Sequence, residues 1–190
     1  MRAFIGVALP NLVRLSLTSL QRRLAESRAD VKWVEPSNLH VTMRFLGEID
    51  EARDQLVSDA LRRVAVQSGA FETSLSRLGT FPSGSSPRVI WVGIERGQEE
   101  LVRIAELLER QLTAIGLPGD NRRFVAHVTL GRVRSDRDLG QLVQALSATE
   151  WPAPPPWSTA AVTLYRSKLS PEGPHYTALL DVPLGAVEEA

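Results

Sequence analysis

The chain has 190 residues, 43% hydrophobic and 23% charged, with 22 basic and 22 acidic side chains that cancel formally. Zero net charge leaves no overall field to draw it onto nucleic acid or a membrane, and the length suffices to bury roughly 70% of the unfolded surface. It has no cysteine, which excludes disulfides, thiolate metal sites and cysteine nucleophiles, and no stretch approaches the ~18 apolar residues of a membrane-spanning helix.

Twenty of the 22 cations are arginine, with only Lys32 and Lys168 as lysine. Arginine's planar fork suits phosphate, although a GC-rich genome would enrich it everywhere. The opening MRAFIGVALP has too short an apolar run for a signal peptide and reads as a first strand, Arg2 to Leu9. A soluble cytoplasmic protein is therefore expected.

Beyond Pro10 the period changes. Val13, Leu17, Leu20 and Leu24 form one stripe of an amphipathic helix. A turn around Pro36-Ser37-Asn38 then leads into a strand that Gly47 is expected to end. Asp50 is placed to cap a second helix with the stripe Ala52, Leu56, Ala60 and Val64.

Strands are predicted over 71–80 and 88–94, separated by the turn cluster Pro82 to Pro87. A third helix follows Gly97, with Leu101, Ile104, Ala105, Leu108, Leu112 and Ile115 on one face, and stops at Gly116. A strand over 124–132, a short helix over 136–146 and the extended connector WPAPPPW come next. Two closing strands, about 160–169 and 175–182, flank the turn Ser170-Pro171-Glu172-Gly173-Pro174. The order is β-α-β-α-β-β-α-β-α-β-β, which divides into two similar units.

Each unit carries one copy of a tripeptide: HVTMRFLG starts at His40 and HVTLGRV at His127. Alternate side chains of a strand point to opposite faces. His40 and Thr42 thus share one face while Val41 and Met43 share the other; His127 and Thr129 face away from Val128 and Leu130 in the same way. One such strand would be an ordinary solvated face. Two copies at matched places point to one site.

A histidine pair near neutral pH can supply a general base and a general acid together, and two threonine hydroxyls can hold an anion between them. That set suits in-line attack on a phosphodiester without a metal or other cofactor. The chain offers no HExxH, GxSxG, GxxxxGK[ST] or strand-following GxGxxG to support a competing chemistry.

With these residues assembled, the sequence resembles the two-histidine (2H) phosphoesterases, and among them the LigT-like RNA 2′,3′-cyclic phosphodiesterases once termed 2′-5′ RNA ligases. The resemblance runs through Arg2-Ala3-Phe4-Ile5, WVEPSNLHVTMRFLGEI, PRVIWVGI, FVAHVTLGR and LYRSKLSPEGPHY, nearly the whole chain in order. It implies an α+β bilobal fold: one domain over 1–190 built of two interleaved lobes, antiparallel sheets lining a central cleft, and helices outside. It implies hydrolysis of RNA ends or nucleotides carrying a 2′,3′-cyclic phosphate to 2′-phosphomonoesters; a monomer with no metal, no cofactor and no membrane partner is expected.

By the resemblance, His40 is the proton donor, His127 the proton acceptor, and Thr42 and Thr129 bind the phosphate. Symmetry in the sequence alone does not say which histidine is which. Arg132 is the further phosphate candidate. Strict alternation puts it on the wrong face, so the strand must bend at Gly131. Phe45, its counterpart in the first copy, reads as core. Trp33 and Arg88 are candidate base or RNA contacts; Trp91 reads as core, Arg122 and Arg123 as ambiguous, and His175 as incidental. The rivals are 2′-5′ ligation, a small cyclic-nucleotide or 2′-5′-oligonucleotide phosphodiesterase, and a non-catalytic nucleotide-binding module.

Overall fold

The computed structural model describes residues 1–120, 122–171 and 173–185. In chain order they form β1 (Arg2–Ala8), α1 (Asn11–Ala25), β2 (Val31–Trp33), a 3₁₀ turn (Pro36–Asn38), β3 (His40–Glu48), α2 (Glu51–Val66), β4 (Phe71–Thr73) and β5 (Leu75–Phe81). There follow β6 (Val89–Ile94), α3 (Gln98–Ala114), β7 (His127–Val133), α4 (Leu139–Ala148), β8 (Trp157–Thr159), β9 (Ala161–Ser170) and β10 (Gly173–Pro183). Glu172 of the predicted last turn lies outside the described residues.

One antiparallel sheet runs β10-β9-β1-β3-β7-β6-β5, with β2 also on β7, and β4 pairs with β8 in a small separate sheet. The large sheet consists of two halves meeting at the strands that carry the two tripeptides. β3 is zipped to β1 from Ala8–His40 to Arg2–Glu48, and β7 is zipped to β6 and β2. Between β3 and β7 themselves the registered pair is Val41 with Val128. So short a junction lets the halves splay, and a cleft opens over the face opposite those valines.

The helices lie on the outer face, and two of them, α1 and α3, cross between halves. α3 follows β6 yet packs against β3, where its Glu109 meets the Arg44 Nε at 2.9 Å. α1 follows β1 yet sends Gln21 to β2 and β7 of the other half. The α1 stripe Val13, Leu17, Leu20 and Leu24 is buried as expected, and so are Leu101, Ile104, Ala105, Leu108 and Leu112 of α3. Asp50 caps α2, its carboxylate accepting the Arg53 N–H at 2.8 Å.

The α2 stripe differs from expectation. Val57, Ala60, Leu61, Val64 and Ala65 are buried, while Ala52 and Leu56 face solvent. The helix turns the Val57–Leu61 edge to the core, because two bulky residues there fill more space than Ala52 and Leu56 would. The predicted strand over 71–80 is two strands, since β4 peels off to pair with β8 inside the end of the proline-rich connector.

Three bulges shape the cleft. In β3, Ile5 pairs with Arg44 and Gly6 with Thr42, leaving Met43 as an extra residue; Leu46 is extra in the same way beside Gly47. Gly47, at φ +72°, accommodates that kink, so β3 continues through to Glu48 instead of ending there. In β7, Ile90 pairs with Gly131 and Trp91 with Thr129, leaving Leu130 extra.

Candidate active site

Val41 and Val128 are both buried on the core face, and their antiparallel pairing sets His40 beside Thr129 and Thr42 beside His127 on the cleft face. All four side chains therefore come together around a local two-fold. The bulges then determine what else joins them. Past Met43, Phe45 pairs with Phe4, and past Leu130, Arg132 pairs with Val89. Each bulge resets the alternation, so the fifth residue after each histidine swings onto the cleft face.

Arg132 reaches the cleft through this bulge at Leu130–Gly131, a departure from strict alternation. The side chains of β2 lie so close that a Cβ on Gly131 would fall 2.7 Å from Val31 Cγ1 and 2.9 Å from the Trp33 ring. Phe45 corrects the expectation of a core residue: 52% exposed, it lines the cleft. Its partner across the bulge, Phe4, already fills the wall beneath it.

Both imidazoles are anchored alike. The His40 Nδ1–H donates to the Asn38 carbonyl at 2.6 Å, and the His127 Nδ1–H to the Val125 carbonyl at 2.7 Å. A backbone acceptor two residues back fixes the tautomer and leaves each Nε2 for the cleft. The Thr42 hydroxyl lies 2.8 Å from His40 Nε2 and donates to it while the ring is neutral. Asn38 is itself buried, and its side-chain amide donates to the Pro174 carbonyl at 2.7 Å, tying the anchor of His40 to β10.

Aromatic rings seat both histidines. Phe4 lies 4.8 Å and Tyr176 5.4 Å from the His40 ring, the latter edge-on; Phe81 lies edge-on 5.3 Å from His127, with Trp91 at 6.0 Å. Trp91 is thus not a core residue. It shares the cleft face with Thr129 and covers Gly79, where a Cβ would collide with its ring at 2.2 Å.

This enclosure acts on the protons. Burial lowers the His40 pKa below its ordinary 6.5, the Asn38 carbonyl works against that, and the His127 charge lowers it further. Burial likewise lowers His127, opposed by the Val125 carbonyl and helped by the Arg132 charge. Burial raises the Tyr176 phenol, which stays an O–H donor at neutral pH.

The cleft beside His40 holds about 170 Å³ and is lined by His40, Thr42, Thr129, Arg132, Trp33, Phe45 and Tyr176 among others. A roomier hollow of about 380 Å³ on α2, between Asp59, Arg62 and Arg63, is remote from these groups. Trp33 lines the cleft, whereas Arg88 does not, its guanidinium engaging Asp136 at 3.0 Å. Arg122 forks onto Asp120 at 2.9 and 2.8 Å, holding that carboxylate well below the usual range. His175 sits on β10 facing away from Tyr176. Among the described residues, no group of three or more metal-ligating side chains converges, and no helix is long and apolar enough to cross a membrane.

Phe4, Asn38 and Tyr176 belong to the site although the sequence did not single them out. For Phe4 and Tyr176 the available signal was alternation within β1 and β10; for Asn38 it was a carbonyl two residues before the histidine, matched by Val125 in the second copy.

Two facing His-x-Thr strands at the junction of two antiparallel half-sheets define an α+β, two-lobed phosphoesterase. The LigT like Phosphoesterase family model matches twice, over residues 7–91 and 92–176, one match for each tripeptide, and the chain belongs to that family. An RNA 2′,3′-cyclic phosphodiesterase of Aeropyrum pernix is 34% identical, over 87% of this chain and 93% of its own length. The crystal structure of the Thermus thermophilus protein TT0787 superposes with a TM-score of 0.80 at 31% identity, covering 97% of this chain and 98% of that one. That of Escherichia coli LigT with 3′-AMP gives 0.76 at 25% identity, covering 96% and 97%.

Proposed function

We propose that this phosphoesterase opens 2′,3′-cyclic phosphates at RNA ends or on nucleotides, leaving a 2′-phosphomonoester. His127 takes a proton from water as the water oxygen attacks phosphorus in line; the P–O3′ bond breaks, and O3′ takes its proton from His40. Thr42, Thr129 and Arg132 hold the non-bridging oxygens, Arg132 with charge-assisted hydrogen bonds made when the substrate binds. Trp33 and Phe45 form the wall against which the base stacks. The leaving oxygen in this reading is taken from the resemblance to the two-histidine phosphoesterases, because the local two-fold leaves the two histidines alike in placement. Residues 1–190 act in it as one domain of two interleaved lobes, consistent with helices that cross between half-sheets.

One observation carries this reading: two imidazoles, each tied back through Nδ1 to the carbonyl two residues before it, flank the Val41–Val128 pair with Nε2 clear of the backbone, that of His40 held by the Thr42 hydroxyl at 2.8 Å. The test is an oligonucleotide ending in a 2′,3′-cyclic phosphate, incubated in EDTA. A 2′-phosphate product formed undiminished is expected. A 3′-phosphate product would reverse the assignment of acid and base, and loss of turnover in EDTA would remove the metal-free mechanism.

Transfer to a 5′-hydroxyl, giving a 2′-5′ linkage, is a second reading favoured by one feature. Phe81, 37% exposed, and Trp91 form an aromatic corner at His127, where the nucleoside of an incoming hydroxyl could stack.

A further inference from the structure

Gln21 is a polar residue on the buried stripe of α1, only 5% exposed. Its side-chain amide donates both hydrogens, one to the Val34 carbonyl and one to the Leu130 carbonyl, each at 2.8 Å. Leu130 is the extra residue of the β7 bulge, and its carbonyl also accepts the Val34 N–H at 2.8 Å. Gln21 thus holds the end of β2 against the bulge at the point where the β2–β7 ladder stops. Trp33 pairs with Gly131 and Lys32 with Arg132 immediately beyond. An apolar side chain of the same size would fill the space, but only the amide gives the Val34 carbonyl a donor and the Leu130 carbonyl a second one beside the Val34 N–H.

We infer that Gln21 is a positioning residue for the phosphate site, acting through the Leu130 bulge to keep Arg132 on the cleft face and Trp33 against it. The inference rests on the phosphate role proposed for Arg132. Without the clamp, the bulge can slide or flatten, and flattening returns Arg132 to the opposite face, since a one-residue change in register flips every side chain beyond it. The loss falls on phosphate binding. His127 and Thr129 precede the bulge and keep their pairing.

The experiment is a double-mutant cycle on the full chain, with hydrolysis of a cyclic-phosphate-ended oligonucleotide and inhibition by inorganic phosphate as readouts. Gln21→Met keeps the length of the side chain and removes both donors. The expected result is a KM raised on the order of tenfold, kcat within about threefold, and weaker phosphate inhibition. In an Arg132→Ala background the same substitution should add less than about twofold. A wild-type KM in Gln21→Met, or an equal loss with and without Arg132, would overturn the inference and leave Gln21 an ordinary buried amide. Should Gln21→Met not fold, Gly131→Ala strains the same junction, its Cβ meeting Val31 and Trp33 at 2.7 and 2.9 Å. It must then raise KM in an Arg132-dependent way or the inference fails. An Arg132→Ala enzyme with unchanged KM would instead overturn the phosphate role itself, and the inference with it.

Discussion

Val41 and Val128 pair directly across the line where the two half-sheets meet, and every group of the site is placed relative to that pair. Apolar and buried, the valines point into the core, so the flanking histidines and threonines point out of it together. The same residues that close the core thereby align the site above it.

Arg132 is the one cation among the residues proposed to hold the phosphate. Losing a hydrogen-bonded charge typically costs about 1.5–3 kcal/mol, so Arg132→Ala should raise KM for the cyclic phosphate roughly 10- to 100-fold. Arg132→Lys should recover only part of it, because an ammonium lacks the two-pronged geometry. Steady-state kinetics of both variants check this. Equal KM values for wild type and Arg132→Ala would exclude the contact.

Phe45 should be a binding residue and not a structural one. At 52% exposure it contributes little to the core, whereas base–aromatic stacking is worth about 1–3 kcal/mol per base. Phe45→Ala should weaken binding of a 2′-nucleotide by that amount and leave the melting temperature nearly unchanged. Titration calorimetry beside thermal denaturation separates the two effects. A large fall in melting temperature with intact binding would return Phe45 to the core.

Both histidines have lowered pKa values, and the direction predicts the pH profile. His40 must be protonated, so activity falls as pH rises through its lowered pKa; His127 must be neutral, so activity falls as pH drops through its own. The kcat/KM optimum should therefore lie below the ordinary histidine value of 6.5, reported as macroscopic pKa values of the pair. Arg132→Ala removes a charge that lowers His127, and the acid limb should move to higher pH. An optimum above neutrality would contradict this. The same shifts make stability present above pH 6.5 and lost as pH falls from there through the lowered values, because the unfolded chain binds protons that the folded site resists. Melting temperatures measured across that window check it.

What could be read from the sequence follows from how local its causes are. Strand and helix order, the Asp50 cap and the shared face of His40 with Thr42 depend on periodicity and capping chemistry over a few residues, and these were legible. The bulges were not. Whether Met43, Leu46 and Leu130 sit as extra residues is decided by pairing with β1 and β6, far along the chain, yet these residues determine that Phe45 and Arg132 face the cleft. Glycine gave a partial hint at Gly131, where the bend was expected, and a misleading one at Gly47, which kinks β3 without ending it. Trp91 read as core because nothing local shows that Gly79 leaves its ring a seat beside His127. The α2 stripe was misplaced by one edge because Leu56 and Leu61 satisfy the helical period equally well, and the sheet beneath decides between them.

The central claim, that His40 and His127 divide one proton-transfer task, is tested most directly by single-turnover hydrolysis of a 2′,3′-cyclic-phosphate oligonucleotide by His40→Ala, His127→Ala and the double variant. Each single substitution should slow turnover by at least about 10²-fold. The double variant should be far less impaired than the product of the two losses, since groups acting as a unit are not additive. Either single variant turning over within a few-fold of wild type would contradict the account.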